Sequence, residues 1–180
     1  MKVRNHLTED EIAQLIKGAG SVGRHKHRDK TMIRFAFRHG LRCSELVSLG
    51  WSCINLDQAT VTVSRRKNGI PSVQPLDGTE LRQLRELRRK YPDGPVVFQN
   101  ERGGELSTSA VRHMVARAGR EAEFNRRIHP HMLRHSTGYA LTNRNVNTRQ
   151  VQNYLGHNDI RYTEQYTALK DDVHRDIWAE

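Results

Sequence analysis

The stretch IHPHMLRHSTGYAL, residues 128–141, places His129, His131 and His135 around one arginine, Arg134. Pro130 suits the first turn of a helix, and His129 before it should be extended. His131 and Arg134 then stand at i, i+3 on one helical face, where both can reach one ligand. Three histidines so close together suggest a metal site, whereas the arginine among them suggests a phosphate. Zinc takes about four ligands, usually His, Cys or carboxylate. His131 and His135 do have an i, i+4 spacing, but the zinc-protease pattern at that spacing has glutamate directly after the first histidine. Met132 stands there instead, and Cys43 and Cys53 lie far off and form no CxxC pair. The residues favour phosphate, with no metal and no cofactor. His135 taken alone reads most simply as a hydrogen-bonded helix residue.

The whole chain points the same way. Its 180 residues suffice for one domain with a real core. Hydrophobic residues make up only 36%, and 30 Lys+Arg against 20 Asp+Glu leave a formal net charge of +10. That excess suits a polyanion, with nucleic acid the first candidate and an anionic membrane surface the competitor. No apolar run approaches the roughly 18 residues that span a bilayer. The opening MKVRNHLTEDEI lacks the apolar centre of a signal peptide, and two cysteines make no disulfide framework. They read as free thiols of a reducing cytoplasm.

Along the chain, Thr8 and Glu11 have capping-box spacing and open a helix in LTEDEIAQLI. GAGSVGRHKHRDK reads as a basic loop. DKTMIRFAFRHG carries Met32, Ile33, Ala36 and Phe37 on one helical face, with Gly40 as its stop, and Ser44 is positioned to cap a short helix after it. Residues 51–76 change character. Their Val, Thr and Ile content and the Asn68-Gly69 turn signal predict a small antiparallel sheet. DGTELRQLRELRRKY returns to helix on Leu81, Leu84 and Leu87, and PVVF reads as one more short strand. Further helices follow behind Ser107 or Thr108, from Pro130, from Asn147 to Gly156, and from Asn158 or Asp159 onward. The fold class is α+β, mostly helical, with one small antiparallel sheet, as a single domain over residues 1–180.

Two further segments join the histidine stretch. RHGLRCSEL puts Arg42 just past a helix stop, and LGHNDIRYTEQYT puts His157 after another, with Tyr166 nine residues on. Together the three resemble the tyrosine recombinases, the phage integrase family. HGLRCSEL is similar to that family's G-L-R-x-S-E-L, HMLRH to its H-x-L-R-H, and LGHNDIRYTEQYT to its L-G-H followed by Y-T. The motifs stand in family order with family-like spacing, and the resemblance covers about Leu7 to Leu169. The wording and shortness are most similar to the fimbrial-switch invertases, which invert a promoter segment.

The resemblance implies a tyrosine-recombinase catalytic domain, without the separate N-terminal DNA-clamping domain of most members. It assigns catalytic roles to Arg42, Lys67, His131, Arg134, His157 and Tyr166, with Glu45 and His135 in support. Lys67 is placed by counting back from Pro75-Leu76, and Arg65 and Arg66 adjoin it. In the family the nucleophile lies nine residues after the histidine matched by His157 and precedes threonine, so the resemblance implies Tyr166 rather than Tyr162 as nucleophile, and Tyr154 is expected to pack with Val151 and Leu155. The implied partners are double-stranded DNA at inverted-repeat sites, a homotetramer formed on that DNA, and host DNA-bending accessory proteins. Integration or excision, and a non-catalytic DNA-binding regulator on the same fold, stay open at this point.

Overall fold

A computed structural model describes residues 4–65, 71–157 and 159–167. Lys67, the Asn68-Gly69 turn and Asn158 lie outside them. Helix α1 (Glu9–Ser21) begins at the expected capping box. Thr8 Oγ1 accepts from the Glu11 N–H at 3.2 Å, and a Glu11 carboxylate oxygen accepts from the Thr8 N–H at 2.7 Å. The segment read as a basic loop is mostly helix: α1 runs on to Ser21 and α2 (Lys26–Arg38) starts soon after. Tertiary packing overrides the polar composition there, because Arg28 and Asp29 at the start of α2 are buried together, with Arg28 Nε 2.9 Å from Asp29 Oδ1. Helix α2 stops at Gly40, whose φ of +58° is the left-handed conformation that suits glycine.

A short helix α3 (Cys43–Val47) follows. Its N-terminal flanking residue is Arg42 rather than the expected Ser44. The sheet is antiparallel as predicted, in the order β1 (Ile54–Asn55), β2 (Thr60–Val63), β3 (Ser72–Pro75). Helix α4 (Gly78–Lys90) has its own capping box, Asp77 with Glu80. PVVF does not add a strand to the sheet. Val96 makes an isolated bridge to Gly50, and the Val97 N–H donates to the Leu49 carbonyl at 2.8 Å. Val97 and Phe98 are fully buried, so the apolar run is core filling with too few ladder partners to be a strand.

Helices α5 (Thr108–Glu121) and α6 (Pro130–Asn143) complete the main core with α1 and α2. Phe35, Phe98, Leu15, Met32, Ile33 and Leu133 lie at its centre. Helix α6 begins with Pro130 after an extended His129 (φ −139°, ψ 155°), as the sequence predicts. Helices α7 (Thr148–Leu155) and α8 (Arg161–Thr167) carry a separate apolar cluster of Val151, Leu155 and Tyr166, with Tyr139 and Tyr154 against it. Tyr154 packs with Val151 and Leu155 as expected, and its hydroxyl donates to the Arg38 carbonyl at 2.8 Å. Among the described residues, no helix is long and apolar enough to cross a membrane.

Candidate active site

The turn after α2 presents Arg42 beside Glu45. A Glu45 carboxylate oxygen accepts from the Arg42 N–H at 2.9 Å, and the other accepts from its guanidinium at 2.9 Å. Burial pushes the Glu45 carboxyl up, but the Arg42 N–H and the Arg65 and Arg42 cations outweigh it and hold the group below the usual carboxylate range. Glu45 therefore stays ionised and fixes Arg42 from beneath.

Arg65 is the residue that sequence reasoning passed over. Its side chain is fully buried. It donates to Glu45 at 3.1 Å, to the Gly40 carbonyl at 3.3 Å, to the His39 carbonyl at 3.0 Å and to the Tyr154 carbonyl. In a run of charges it looks like surface. The signal that marks it is the period-2 alternation of β2: Val61 and Val63 are buried, and Arg65 continues their phase. Gly156, at φ +64°, ends α7 and lies against the Arg65 stem, where a Cβ would come within 2.5 Å of Arg65 Cγ.

Arg134 rises from α6 into the same region. It donates to the Gly40 carbonyl and to the Leu155 carbonyl, the latter at 2.7 Å. Burial, then the cations of Arg42 and Arg65, lower its pKa to about 9, so it is charged at neutral pH. The histidines stand around it. His131 is exposed, and its ring meets the edge of His135 at a centroid distance of 4.5 Å. His157 follows the Gly156 stop, with Nδ1 2.9 Å from the hydroxyl of fully buried Thr163. Burial, then Arg134, Arg42 and Arg65, lower His157 to about 4. Burial, then His131 and Arg134, lower His135 to about 4 as well. These histidines are neutral at physiological pH because burial, and after it the surrounding positive charge, disfavours the charged ring.

Tyr166 and Tyr162 lie four apart on α8, and the packing separates them. Tyr162 is 63% exposed and Tyr166 is 2% exposed. The Tyr166 ring lies over Gly138, where a Cβ would collide with it, and against Tyr139 at 5.0 Å. Its hydroxyl is 3.2 Å from His135 Nδ1. Burial pushes the phenol up to about 12, against the pull of Arg134. Arg42, His131, Arg134, His157 and Tyr166, expected from sequence as catalytic, all line one cleft of about 830 Å³ together with His135. The sixth expected residue, Lys67, falls outside the described residues. Glu45 lies below the cleft, bound to Arg42. Among the described residues, no three His, Cys, Asp or Glu side chains are grouped as metal ligands.

Two arginines, neutral imidazoles and a phenol around one cleft can together hold an anionic phosphate beside a hydroxyl group. The chain matches the Phage integrase family over residues 5–172 and belongs to that family. It is 38% identical over 182 residues to the type 1 fimbriae regulatory protein FimB of Escherichia coli (strain K12), covering 98% of this chain and 90% of that one. It is 34% identical over 186 residues to the FimE protein of the same strain, covering 99% and 92%. Among solved structures it is similar to XerA recombinase, with a TM-score of 0.81 and 25% identity, over 99% of this chain and 64% of that chain. XerH recombinase bound to its difH substrate gives a TM-score of 0.79 at 23% identity, over 99% and 54%. The chain thus spans less than two thirds of either recombinase structure. The protein is a tyrosine-type site-specific recombinase with the mostly helical fold of that catalytic domain.

Proposed function

We propose that the protein inverts a DNA segment bounded by inverted repeats, cutting and rejoining each strand through a 3′-phosphotyrosyl link on Tyr166. The observation that carries this reading is the convergence of Arg42, Arg134 and the Tyr166 phenol on one cleft. Arg42 and Arg134 hold the non-bridging oxygens with charge-assisted bonds and stabilise the added charge of the five-coordinate transition state. Tyr166 attacks phosphorus, and Lys67 protonates the departing 5′-oxygen. His131 and His157 bind the same phosphate. The link conserves the energy of the broken bond, so a partner strand's 5′-hydroxyl reseals it without ATP. The pattern shared with FimB and FimE, both named for fimbriae regulation, favours a promoter segment as the target. A homotetramer on DNA, host DNA-bending proteins and a cytoplasmic setting belong to the same proposal.

A nicked suicide substrate carrying a candidate repeat tests it. The purified protein should form a covalent adduct on Tyr166, identified by mass spectrometry, in the presence of excess EDTA. Tyr166→Phe should bind the DNA and form none, while Tyr162→Phe still forms it. Specific binding without any adduct would point to a regulator, and a nucleotide on Tyr162 would refute the assignment.

A further inference from the structure

The phenol of Tyr166 is a poor nucleophile until it loses its proton, and the cleft must supply an acceptor. The Tyr166 ring is held by its neighbours: Gly138 leaves the space it fills, Tyr139 meets it at 5.0 Å, and His157 lies roughly parallel to it at 6.3 Å. Held in this way, its hydroxyl lies 3.2 Å from Nδ1 of His135. The imidazole sits between His131 and Tyr166 in a chain of ring contacts, at 4.5 Å and 6.0 Å. Helix α6 fixes this order, because His131, His135 and Gly138 follow one another along one face.

We propose that His135 is a catalytic residue, the general base that takes the Tyr166 proton. The proposal rests on the reading of Tyr166 as nucleophile. In the forward step the phenol O–H bond breaks and its proton moves to His135 Nδ1. The phenolic oxygen forms the new P–O bond, and the bond to the 5′-oxygen breaks as Lys67, the proposed general acid, gives that oxygen its proton. Rejoining reverses the sequence: the incoming 5′-hydroxyl attacks and gives its proton to the Lys67 amine, the phenolate leaves, and the imidazolium returns its proton to the phenolate. The transfer requires Nδ1 to carry a lone pair, hence a neutral ring protonated on Nε2. Burial and the neighbouring cations hold His135 near 4, which keeps that acceptor available at neutral pH. A phosphodiester in the cleft offsets the arginine charge and makes the ring more basic as the phenol becomes more acidic in the transition state.

The test is adduct formation on the nicked suicide substrate, with wild type and Tyr166→Phe as brackets. His135→Asn keeps a hydrogen-bonding atom near the Nδ1 position but cannot take a proton. It should slow adduct formation by about 10²–10⁴-fold, with melting temperature and DNA binding near wild type. Replacing residue 166 by 3-fluorotyrosine, a more acidic phenol, should restore about tenfold or more of the His135→Asn rate and change the wild-type rate little. A purely positioning histidine would give equal responses in both backgrounds. His135→Asn forming adduct at the wild-type rate would overturn the proposal, while no adduct from wild type would overturn the Tyr166 reading instead. Nitrogen-15 NMR of the wild-type imidazole supplies a readout that needs no variant: an Nδ1–H tautomer at neutral pH would also overturn it.

Discussion

The guanidinium groups of Arg65 and Arg134 share one acceptor, the carbonyl oxygen of Gly40. That carbonyl lies in the turn joining α2 to Arg42. One arginine also holds the Tyr154 carbonyl and the other the Leu155 carbonyl, both at the end of α7. The turn bearing Arg42, the helix bearing Arg134 and the helix leading to His157 are therefore tied at one point.

Arg65→Met should cost about 3–5 kcal/mol in urea unfolding, because it leaves Glu45 and several carbonyls without a buried cation. Adduct formation should fall as well, since Glu45 would no longer be held beneath Arg42. Arg65→Lys should recover little, because a single ammonium cannot span acceptors on three elements. A lysine variant with wild-type stability and cleavage would show that the fork geometry is unimportant.

Gly138→Ala places a methyl group where the Tyr166 ring lies. Overpacking of this kind typically costs about 1–3 kcal/mol, and the ring has an alternative in moving out of the slot. The expected outcome is a folded protein in which Tyr166 fluorescence or nitration reports greater exposure, with slower adduct formation. Unchanged reactivity of Tyr166 toward tetranitromethane would contradict the close packing.

Stability should fall between pH 6.5 and about 4. His135 and His157 are depressed to about 4 from an ordinary value of 6.5, so in that window the unfolded chain binds more protons than the folded one. Their contribution is full above 6.5 and is lost as pH falls toward 4. His131, shifted in the same direction, adds to the effect. Glu45 is depressed below its ordinary 4.5, and its contribution disappears only at lower pH. Thermal melts from pH 8 to 4 should show this fall, and added sulfate should flatten it by favouring protonated histidines. Melts flat across the window would mean the histidines are not held neutral by the fold.

DNA binding should weaken steeply with salt, since each neutralised phosphate releases a counterion, with a slope of about −0.9 per contact. The formal charge of +10 motivates this. Pairs of protomers on adjacent half-sites should bind better than one protomer on one half-site. Gel-shift titrations at several salt concentrations give both, and a salt-independent single-site affinity would count against phosphate-dominated binding.

Much of the site was readable because its residues sit in short local patterns. Arg42, His131, Arg134, His157 and Tyr166 each follow a helix start or stop that Gly40, Pro130 or Gly156 marks, and such signals act over a single turn. The helices with capping residues, and the existence of the sheet, were readable for the same reason. Composition misled where burial outweighs local preference: in the start of α2, where Arg28 and Asp29 pair inside the protein, and in PVVF, which fills the core without joining the sheet.

By itself the sequence marked most of the helices, the presence of a sheet, and the family motifs that carry Arg42, His131, Arg134, His157 and Tyr166. Tertiary structure alone decided what each group experiences. It buries Arg65 beneath the cleft, lowers His157 by burying it among three arginines and His135 by burying it beside His131 and Arg134, and sets Tyr166 on Gly138 with its hydroxyl against His135. These are contacts between residues 20 to more than 90 positions apart. Their energies depend on burial and on which charges share a volume, and neither quantity exists until the helices have packed.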